Sequence, residues 1–362
     1  MHVRNTIISK SLGYVTRYFG WRNWSVLRYN SIAENLFLIF YIALRNQLYS
    51  GEFMIDLFIF VTFSMFSTTY GYLINDLADK ELDARHEKDN TFKEDTAGKA
   101  VIIVSTFLGL SIAAGTRFID KPLFILFWTS WLFIATFYSL KPLRLKERGI
   151  TGLLFVVIAQ RVLPTLLVFS AFNYFEWVDV SIFTLYIFFR GLSSDLNHQL
   201  EDYRRDMNTG TETFAIQAGT VTTEKVFQYS LEIEKILMIP CLLKMYSGLM
   251  HLEILDISLI FPILAGYVIL YSLNIWQVRR QEGQKDANPY KPGRKDIVQF
   301  IHHTFPSVVL PFYLLIILLY EARNYKFAVL MFIFIIYRKL YSIELIRNSY
   351  PIKSINSIVK RI

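Results

Sequence analysis

Ten stretches of mainly apolar residues occupy most of this 362-residue chain. A helix needs about 20 such residues to cross the hydrocarbon layer of a membrane, and most of these stretches are near that length. They lie at 32–49, 53–75, 99–116, 122–138, 150–171, 176–197, 226–247, 252–277, 301–320 and 325–341. Because 53% of the residues are hydrophobic and only 19% are charged, a single soluble domain of this size is a poor explanation.

The basic residues are distributed unevenly between these segments. Of the 38 Lys and Arg residues, 29 precede the first segment, lie in the loops after the second, fourth, sixth and eighth, or belong to the C-terminal tail. Cytoplasmic loops collect Lys and Arg, so both termini are expected on the cytoplasmic side. The formal net charge of +8 is thus explained by orientation and does not indicate nucleic-acid binding. Cys241 is the only cysteine, which excludes an intrachain disulfide framework.

A first acidic cluster lies at the inner end of the second segment. Asp76, Asp79 and Asp83 are spaced to share one face of a helix, and Asn75 lies one turn before Asp79. Three like charges on one stripe repel each other unless a cation neutralises them, and a hard divalent cation with oxygen ligands does this well. The cluster therefore indicates a metal site. A solvated acidic helix end is the alternative.

A second cluster ends the sixth segment. His198, Asp202 and Asp206 also share one face of a helix, with Asp195 a turn earlier. Two such clusters, four segments apart and on the same side, suggest a duplicated four-helix unit whose acidic ends face each other. That arrangement would hold Mg²⁺ ions, two in number, bridged by a substrate diphosphate.

A basic loop separates the clusters along the chain. It begins at Tyr138 and carries Lys141, Arg144 and Lys146, which are suited to holding phosphate oxygens. The alternative is that these are ordinary positive-inside residues.

Three further positions carry charge or imidazole near the apolar segments. Arg161 lies in the middle of the fifth segment, where it would contact an acceptor substrate or pair with Asp195, Asp179 or a backbone carbonyl. His302 and His303 begin the ninth segment and are expected to be interfacial side chains rather than ligands.

Together these motifs resemble the UbiA superfamily of intramembrane prenyltransferases. The resemblance rests on Asn75-Asp76-x-x-Asp79-x-x-x-Asp83, on the loop from Tyr138 to Lys146, and on Asp202-x-x-x-Asp206 followed by Gly210 and Thr213. It covers residues from about 32 to 320. One departure is Gln199, where members of this family commonly have another aspartate.

The resemblance implies an all-α fold, a polytopic bundle of nine core transmembrane helices with two four-helix repeats around a central cavity. A short tenth helix is an open alternative. Residues 1–31 would form a basic interfacial segment, 32–322 the catalytic bundle, and 323–362 an extra helix and basic tail. The implied reaction is Mg²⁺-dependent transfer of a prenyl group from an isoprenoid diphosphate to a hydrophobic acceptor within the lipid bilayer.

Roles for single residues follow as hypotheses. Asp76, Asp79 and Asp83 would hold one ion and Asp202 and Asp206 another, with Asn75 and His198 as lesser ligands. Lys141, Arg144 and Lys146 would bind the diphosphate, and Arg161 and Tyr138 are candidates for contact with the acceptor. Two alternatives stay open: phosphoribosyl transfer to a polyprenyl phosphate within the same fold, and an ion or metabolite transporter.

Overall fold

The computed structural model describes residues 12–28, 30–85, 87–249, 251–252, 257–280, 288–347, 349–350 and 352. This part of the chain is almost entirely helical. The longer helices are Leu36–Arg45, Gly51–Arg85, Ala97–Gly115, Pro122–Phe137, Gly149–Val157, Leu163–Ala171, Trp177–Thr209, Thr220–Gly248, Phe261–Arg280, Leu310–Ala322 and Tyr325–Tyr337. Shorter ones are Trp21–Arg28, Ser31–Glu34, Phe214–Ala218, Ile297–Gln299 and Ile343–Arg347. Two residues of strand, His251–Leu252, pair antiparallel with Ile257–Ser258.

Four helical stretches are long and apolar enough to cross a membrane among the described residues: Gly51–Arg85, Ala97–Phe118, Gly149–Ala171 and Ile297–Ala322. Shorter apolar helices are Leu36–Arg45, Pro122–Phe137, Phe261–Trp276 and Tyr325–Tyr337. Each of the ten predicted segments overlaps a helix, including the tenth. The all-helical prediction is therefore confirmed apart from the short strand pair, while the count of nine core helices and the two repeats stay predictions.

A wide π-helical turn interrupts the apolar stretch Gly149–Ala171. Ile158–Val162 lies between Gly149–Val157 and Leu163–Ala171, directly before Pro164. Proline has no backbone N–H and its ring crowds the carbonyl four residues earlier, so a widened turn relieves the clash. The turn contains Arg161, and such turns frequently mark functional positions.

The chain divides into two compact units, and the first contains every predicted site residue. It comprises the described residues within 1–34, 55–173 and 191–227. Its core packs Leu73 and Ile74 against Phe92, Val104 and Trp131.

The second unit comprises the described residues within 35–54, 174–190 and 228–362. Inside it Arg190, Glu234 and His302 form a buried polar cluster, in which the Arg190 Nη1 atom lies 3.4 Å from Glu234 Oε1 and donates to the His302 carbonyl. The Nδ1 atom of His302 lies 2.8 Å from the same Glu234 oxygen, and His302 is only 1% exposed. The prediction that His302 is interfacial was wrong. Its buried position depends on pairing with Glu234, which belongs to the helix Thr220–Gly248, far away in the sequence.

Candidate active site

The first acidic motif occupies the last turns of the Gly51–Arg85 helix. With 35 residues this helix is about 52 Å long, well beyond the ~30 Å of a bilayer core, so its end can extend past the hydrocarbon. Asp76, Asp79 and Asp83 are nevertheless 1%, 5% and 6% exposed. Buried carboxylates need partners, and each of the three has them.

Asp76 and Asp83 are held by the loop that follows the helix. The Oδ2 atom of Asp76 accepts from the backbone N–H of Thr91 at 3.0 Å. Asn90 donates through Nδ2 to Asp83 Oδ2 and to the carbonyl of Asp76, both at 2.8 Å. The loop therefore fixes two of the three carboxylates.

Asp79 faces the basic loop instead. Its Oδ1 atom lies 3.3 Å from Arg144 Nη2, and its Oδ2 atom accepts from Lys146 Nζ. All three side chains are largely buried, at 8% exposure for Asp79 and 16% for each cation. Burial lowers the pKa of Lys146 below the ordinary 10.5, and the neighbouring Asp79 opposes that shift. The predicted diphosphate-binding pair thus lies directly on the acidic motif.

The local backbone explains how two cations reach one carboxylate. Arg144 has a positive φ of 38°, and the guanidinium also donates to Glu147 Oε1 at 2.6 Å. The Lys146 N–H donates to the carbonyl of Tyr138 at 3.0 Å, which closes the loop on itself. Lys141, by contrast, is exposed. Its predicted role in diphosphate binding stays a prediction, without support from a contact.

The second acidic cluster is more open. The side chain of Asp202 is 42% exposed and pairs with Arg205 at 2.9 Å, whereas that of His198 is 70% exposed and lies 4.0 Å from Glu201. Asp206 is half-buried, and its Oδ2 atom accepts from Thr213 Oγ1 at 3.3 Å. Among these residues Asp206 has the best geometric support as a ligand and His198 the weakest.

Two residues of the first unit lie within electrostatic range of both clusters. Lys88 Nζ lies 3.7 Å from Asp83 Oδ1 and also acts electrostatically on Asp206. The hydroxyl of Tyr138 experiences the charges of Asp79 and Asp206 together. Directly after the basic loop, Gly149 donates its N–H to the Glu212 carbonyl at 3.0 Å.

Gln199, which departs from the family pattern, forms a hydrogen bond that supports the local fold. Its Oε1 atom accepts from the backbone N–H of Ala215 at 3.0 Å, in the first turn of the Phe214–Ala218 helix. An otherwise unpaired N–H of that helix is thereby satisfied. The side chain is thus committed to the loop that follows the second cluster.

A cavity of about 350 Å³ lies in the first unit beside the first acidic motif. Its wall includes Asn75 of that motif and Tyr138 of the basic loop. The rest is mostly apolar and aromatic, including Trp21, Phe63, Tyr72, Trp128, Trp131, Val156 and Leu167. Apolar cavities with a few placed polar groups are typical of ligand sites.

Arg161 also lines this cavity, as predicted for an acceptor contact. It is 7% exposed and donates through Nη1 to Glu34 Oε2. Glu34 is a partner that the sequence did not indicate, since it belongs to a short helix near the N-terminus. Whether Arg161 contacts an acceptor stays a prediction.

Sequence reasoning missed several residues that complete the site. Asn90 and Thr91 lie in a polar loop without a motif, and their contacts to the carboxylates depend on how that loop folds back. Trp21, before the first apolar segment, stacks on Tyr72 with ring centroids 3.6 Å apart. No spacing rule would have linked it to the cavity.

The donor set suits Mg²⁺. Asn75, Asp76, Asp79 and Asp83 offer only oxygen ligands from these side chains' carboxylate and amide groups, as this hard cation requires. Within the described residues, no three His, Cys, Asp or Glu side chains lie close enough together to hold a metal ion by themselves. Mg²⁺ is commonly bound through one or two carboxylates plus water and phosphate oxygens, so an open arrangement of this kind fits it.

Comparisons with known proteins agree with this geometry. The family model described as "UbiA prenyltransferase family" matches residues 36–302. A digeranylgeranylglyceryl phosphate synthase from Sulfurisphaera tokodaii is 27% identical over 211 residues, which span 55% of this chain and 71% of that protein.

Solved structures show the same fold. A UbiA homolog from Archaeoglobus fulgidus superposes with a TM-score of 0.55 at 18% identity, covering 84% of this chain and 98% of the homolog. The homolog bound to GPP and Mg²⁺ gives a TM-score of 0.52 at 19% identity, covering 81% of this chain and 99% of that one. Since the family model covers well over half of the chain, the protein belongs to the UbiA prenyltransferase family, whose members are embedded in membranes, and it is a prenyltransferase.

Proposed function

We propose that this protein transfers a prenyl group from an isoprenoid diphosphate to a hydrophobic acceptor, aromatic or lipid, and releases pyrophosphate. The aromatic cavity carries the proposal, because its wall includes residues from both the acidic motif and the basic loop. Such a cavity can hold an apolar tail while its diphosphate lies against Arg144 and Lys146, the cations that pair with Asp79. The Archaeoglobus fulgidus homolog bound to GPP and Mg²⁺ supports the choice of donor.

The reaction needs a group that stabilises charge on the leaving diphosphate. When bound by the carboxylates of the first motif, with Asp202 and Asp206 as the second set, Mg²⁺ would supply positive charge to that leaving group. Arg144 and Lys146 neutralise Asp79 in the structure and would share their N–H donors with diphosphate oxygens. Bidentate donation by a guanidinium makes Arg144 well suited to this task.

Prenyl transfer breaks one bond at the prenyl C1 atom and forms another. The bond between the prenyl C1 atom and the diphosphate oxygen breaks, and its electron pair leaves with pyrophosphate. A nucleophilic atom of the acceptor forms the new bond to C1 and then loses a proton to solvent. Aromatic side chains such as Trp131 and Tyr72 would exclude water from the allylic cation and stabilise its charge through their π faces.

We also infer that the acidic motifs and both termini lie on the cytoplasmic side of the membrane. The distribution of Lys and Arg between the segments supports this orientation. A cysteine placed in the exposed part of the basic loop, for example Lys141→Cys, should react with an impermeant maleimide only from the cytoplasmic side. Labelling from the opposite side would contradict the orientation.

The function can be tested with purified protein in detergent. We expect pyrophosphate release with Mg²⁺, a prenyl diphosphate from a panel running from dimethylallyl to geranylgeranyl, and an acceptor from a membrane lipid extract. Mass spectrometry of the lipids should show the added prenyl mass, and EDTA should abolish turnover.

A matched pair of variants controls this experiment. Asp76→Ala removes a buried carboxylate of the motif and should abolish turnover, whereas Glu81→Ala removes an exposed carboxylate of the same helix end and should leave it unchanged. Turnover with phosphoribosyl diphosphate alone, or turnover that survives EDTA, would contradict the proposal.

A further inference from the structure

The N-terminal strap, residues 12–28, lies before the part of the chain that the family model matches. It consists of a π-helical turn, Val15–Phe19, and the helix Trp21–Arg28, whose first turn is broken by positive φ angles at residues 22–24. The sequence predicted a surface segment here, but Tyr18 and Trp21 are 4% and 8% exposed. The strap is therefore packed into the first unit.

Asp95 is the main anchor of the strap. Its Oδ2 atom accepts from the Tyr18 hydroxyl at 2.8 Å and lies 3.2 Å from Arg17 Nη2, while Lys99 Nζ lies 2.7 Å from Oδ1. Burial raises the pKa of Asp95, but the hydrogen bonds from Lys99 and Tyr18 outweigh it, so the pKa is below the ordinary value. Arg17 also donates to the carbonyl of Thr91 at 3.1 and 3.2 Å.

The loop that the strap holds is the one that orients the motif carboxylates. Arg17 binds the carbonyl of Thr91, and the N–H of the same Thr91 is bonded to Asp76. The adjacent Asn90 donates to Asp83. Arg17, which Asp95 holds together with Tyr18, is thus linked through Thr91 to the Asp76 carboxylate, and through the neighbouring residue Asn90 to the Asp83 carboxylate.

We propose that the N-terminal strap is a positioning element of the active site, which fixes the Asp76 and Asp83 carboxylates for Mg²⁺ through Asp95 and Thr91. This inference rests on the proposed function, because it concerns the same Mg²⁺ site. Groups that orient metal ligands from behind typically change metal affinity or activity by about 10–100-fold when they are removed. Releasing the strap should thus weaken Mg²⁺ binding without removing any ligand.

The test measures Mg²⁺ dependence in the full-length protein. The double variant Arg17→Met/Tyr18→Phe removes the strap's contacts to Thr91 and Asp95. The variant Asp95→Ala removes the carboxylate that binds Arg17 and Tyr18. For each, Mg²⁺ is titrated at a fixed concentration of geranylgeranyl diphosphate, and both the rise in melting temperature and the rate of pyrophosphate release are recorded. We expect the Mg²⁺ concentration at half-effect to rise about tenfold by both readouts.

Three further variants isolate the cause. Thr16→Ala changes an exposed residue whose hydroxyl donates to the Leu12 carbonyl within the strap, and its Mg²⁺ midpoint should match the wild type. Arg17→Lys/Tyr18→Phe keeps the charge and should restore part of the affinity lost in Arg17→Met/Tyr18→Phe. Tyr18→Phe removes one hydroxyl and serves if the double variant does not fold, with an expected rise of about threefold to fivefold.

The outcomes separate this inference from the function on which it rests. A lower melting temperature with an unchanged Mg²⁺ midpoint would make the strap purely structural and overturn the inference, while the proposed function would stand. A wild-type protein that shows neither a Mg²⁺-dependent shift nor turnover would overturn both.

Discussion

The two acidic clusters have similar helical spacing, but they differ sharply in burial. Asp76 and Asp79 of the first are 1% and 5% exposed, whereas the side chains of Asp202 and His198 in the second are 42% and 70% exposed. The first cluster is covered by a polar loop and by two cations, whereas Asp202 and His198 of the second lie on an open helix surface and only Asp206 is half-buried. Similar spacing along a helix therefore does not produce similar sites.

The difference has an energetic consequence. A buried carboxylate that loses its partners, or cations that lose their carboxylate, cost several kcal/mol, whereas an exposed pair such as Asp202 with Arg205 contributes at most about 1 kcal/mol. The first cluster should thus determine both stability and catalysis, and the second mainly the binding of substrate and metal.

The largest effect is expected for Asp79→Asn. Activity should fall by at least about 100-fold, since a carboxylate proposed to hold the Mg²⁺ that would neutralise the leaving diphosphate is lost. Stability should fall by about 3 kcal/mol, because Lys146 remains buried without its carboxylate, whereas Arg144 keeps Glu147. Pyrophosphate release and thermal unfolding measure the two effects.

A double variant tests the explanation. Asp79→Asn/Lys146→Met removes the cation that Asp79→Asn leaves without a carboxylate and should recover a large part of the stability, with no recovery of activity. If the double variant is as unstable as Asp79→Asn, the ion pair is not the cause.

The next effect concerns the pH dependence set by Lys146. Burial lowers the pKa of its ammonium group, so the charged form is lost on raising the pH before the ordinary value of 10.5 is reached. The alkaline limb of kcat/KM should thus begin below pH 10.5. In Lys146→Arg it should move to higher pH, since a guanidinium stays protonated there. An identical limb in both proteins would assign it to another group.

A moderate effect is expected for Asp206→Asn. The side chain is half-buried and bonded to Thr213, which orients it toward the region shared with Lys88. The Mg²⁺ concentration for half-maximal activity should rise about tenfold, with a melting temperature close to wild type. A loss as large as that of Asp79→Asn would show that the two clusters are equivalent after all.

The smallest effect is expected for His198→Ala. Its side chain is mostly exposed and its nearest acidic partner, Glu201, is also on the helix surface. Turnover and Mg²⁺ dependence should change by less than about twofold. A tenfold loss would restore His198 as a metal ligand, the role that its spacing predicts.

The sequence by itself determined the class of this protein. Apolar segments of bilayer length require membrane helices, and the spacing of Asp76, Asp79 and Asp83 requires a shared helix face, because both follow from the fixed rise and pitch of the α-helix. The basic loop was identified in the same way, from charge beside carboxylates. These features are local, so they can be read without knowing the fold.

Only the tertiary structure decided which predicted residues are brought together. It paired Arg144 and Lys146 with Asp79, left Lys141 exposed and gave Arg161 the unforeseen partner Glu34. It also placed Trp21 in the cavity wall and brought the N-terminal strap into contact with the loop that contains Thr91 and binds the motif carboxylates. Contacts of this kind join residues far apart in the chain, and no periodicity encodes them, because they depend on how whole helices and loops pack against each other.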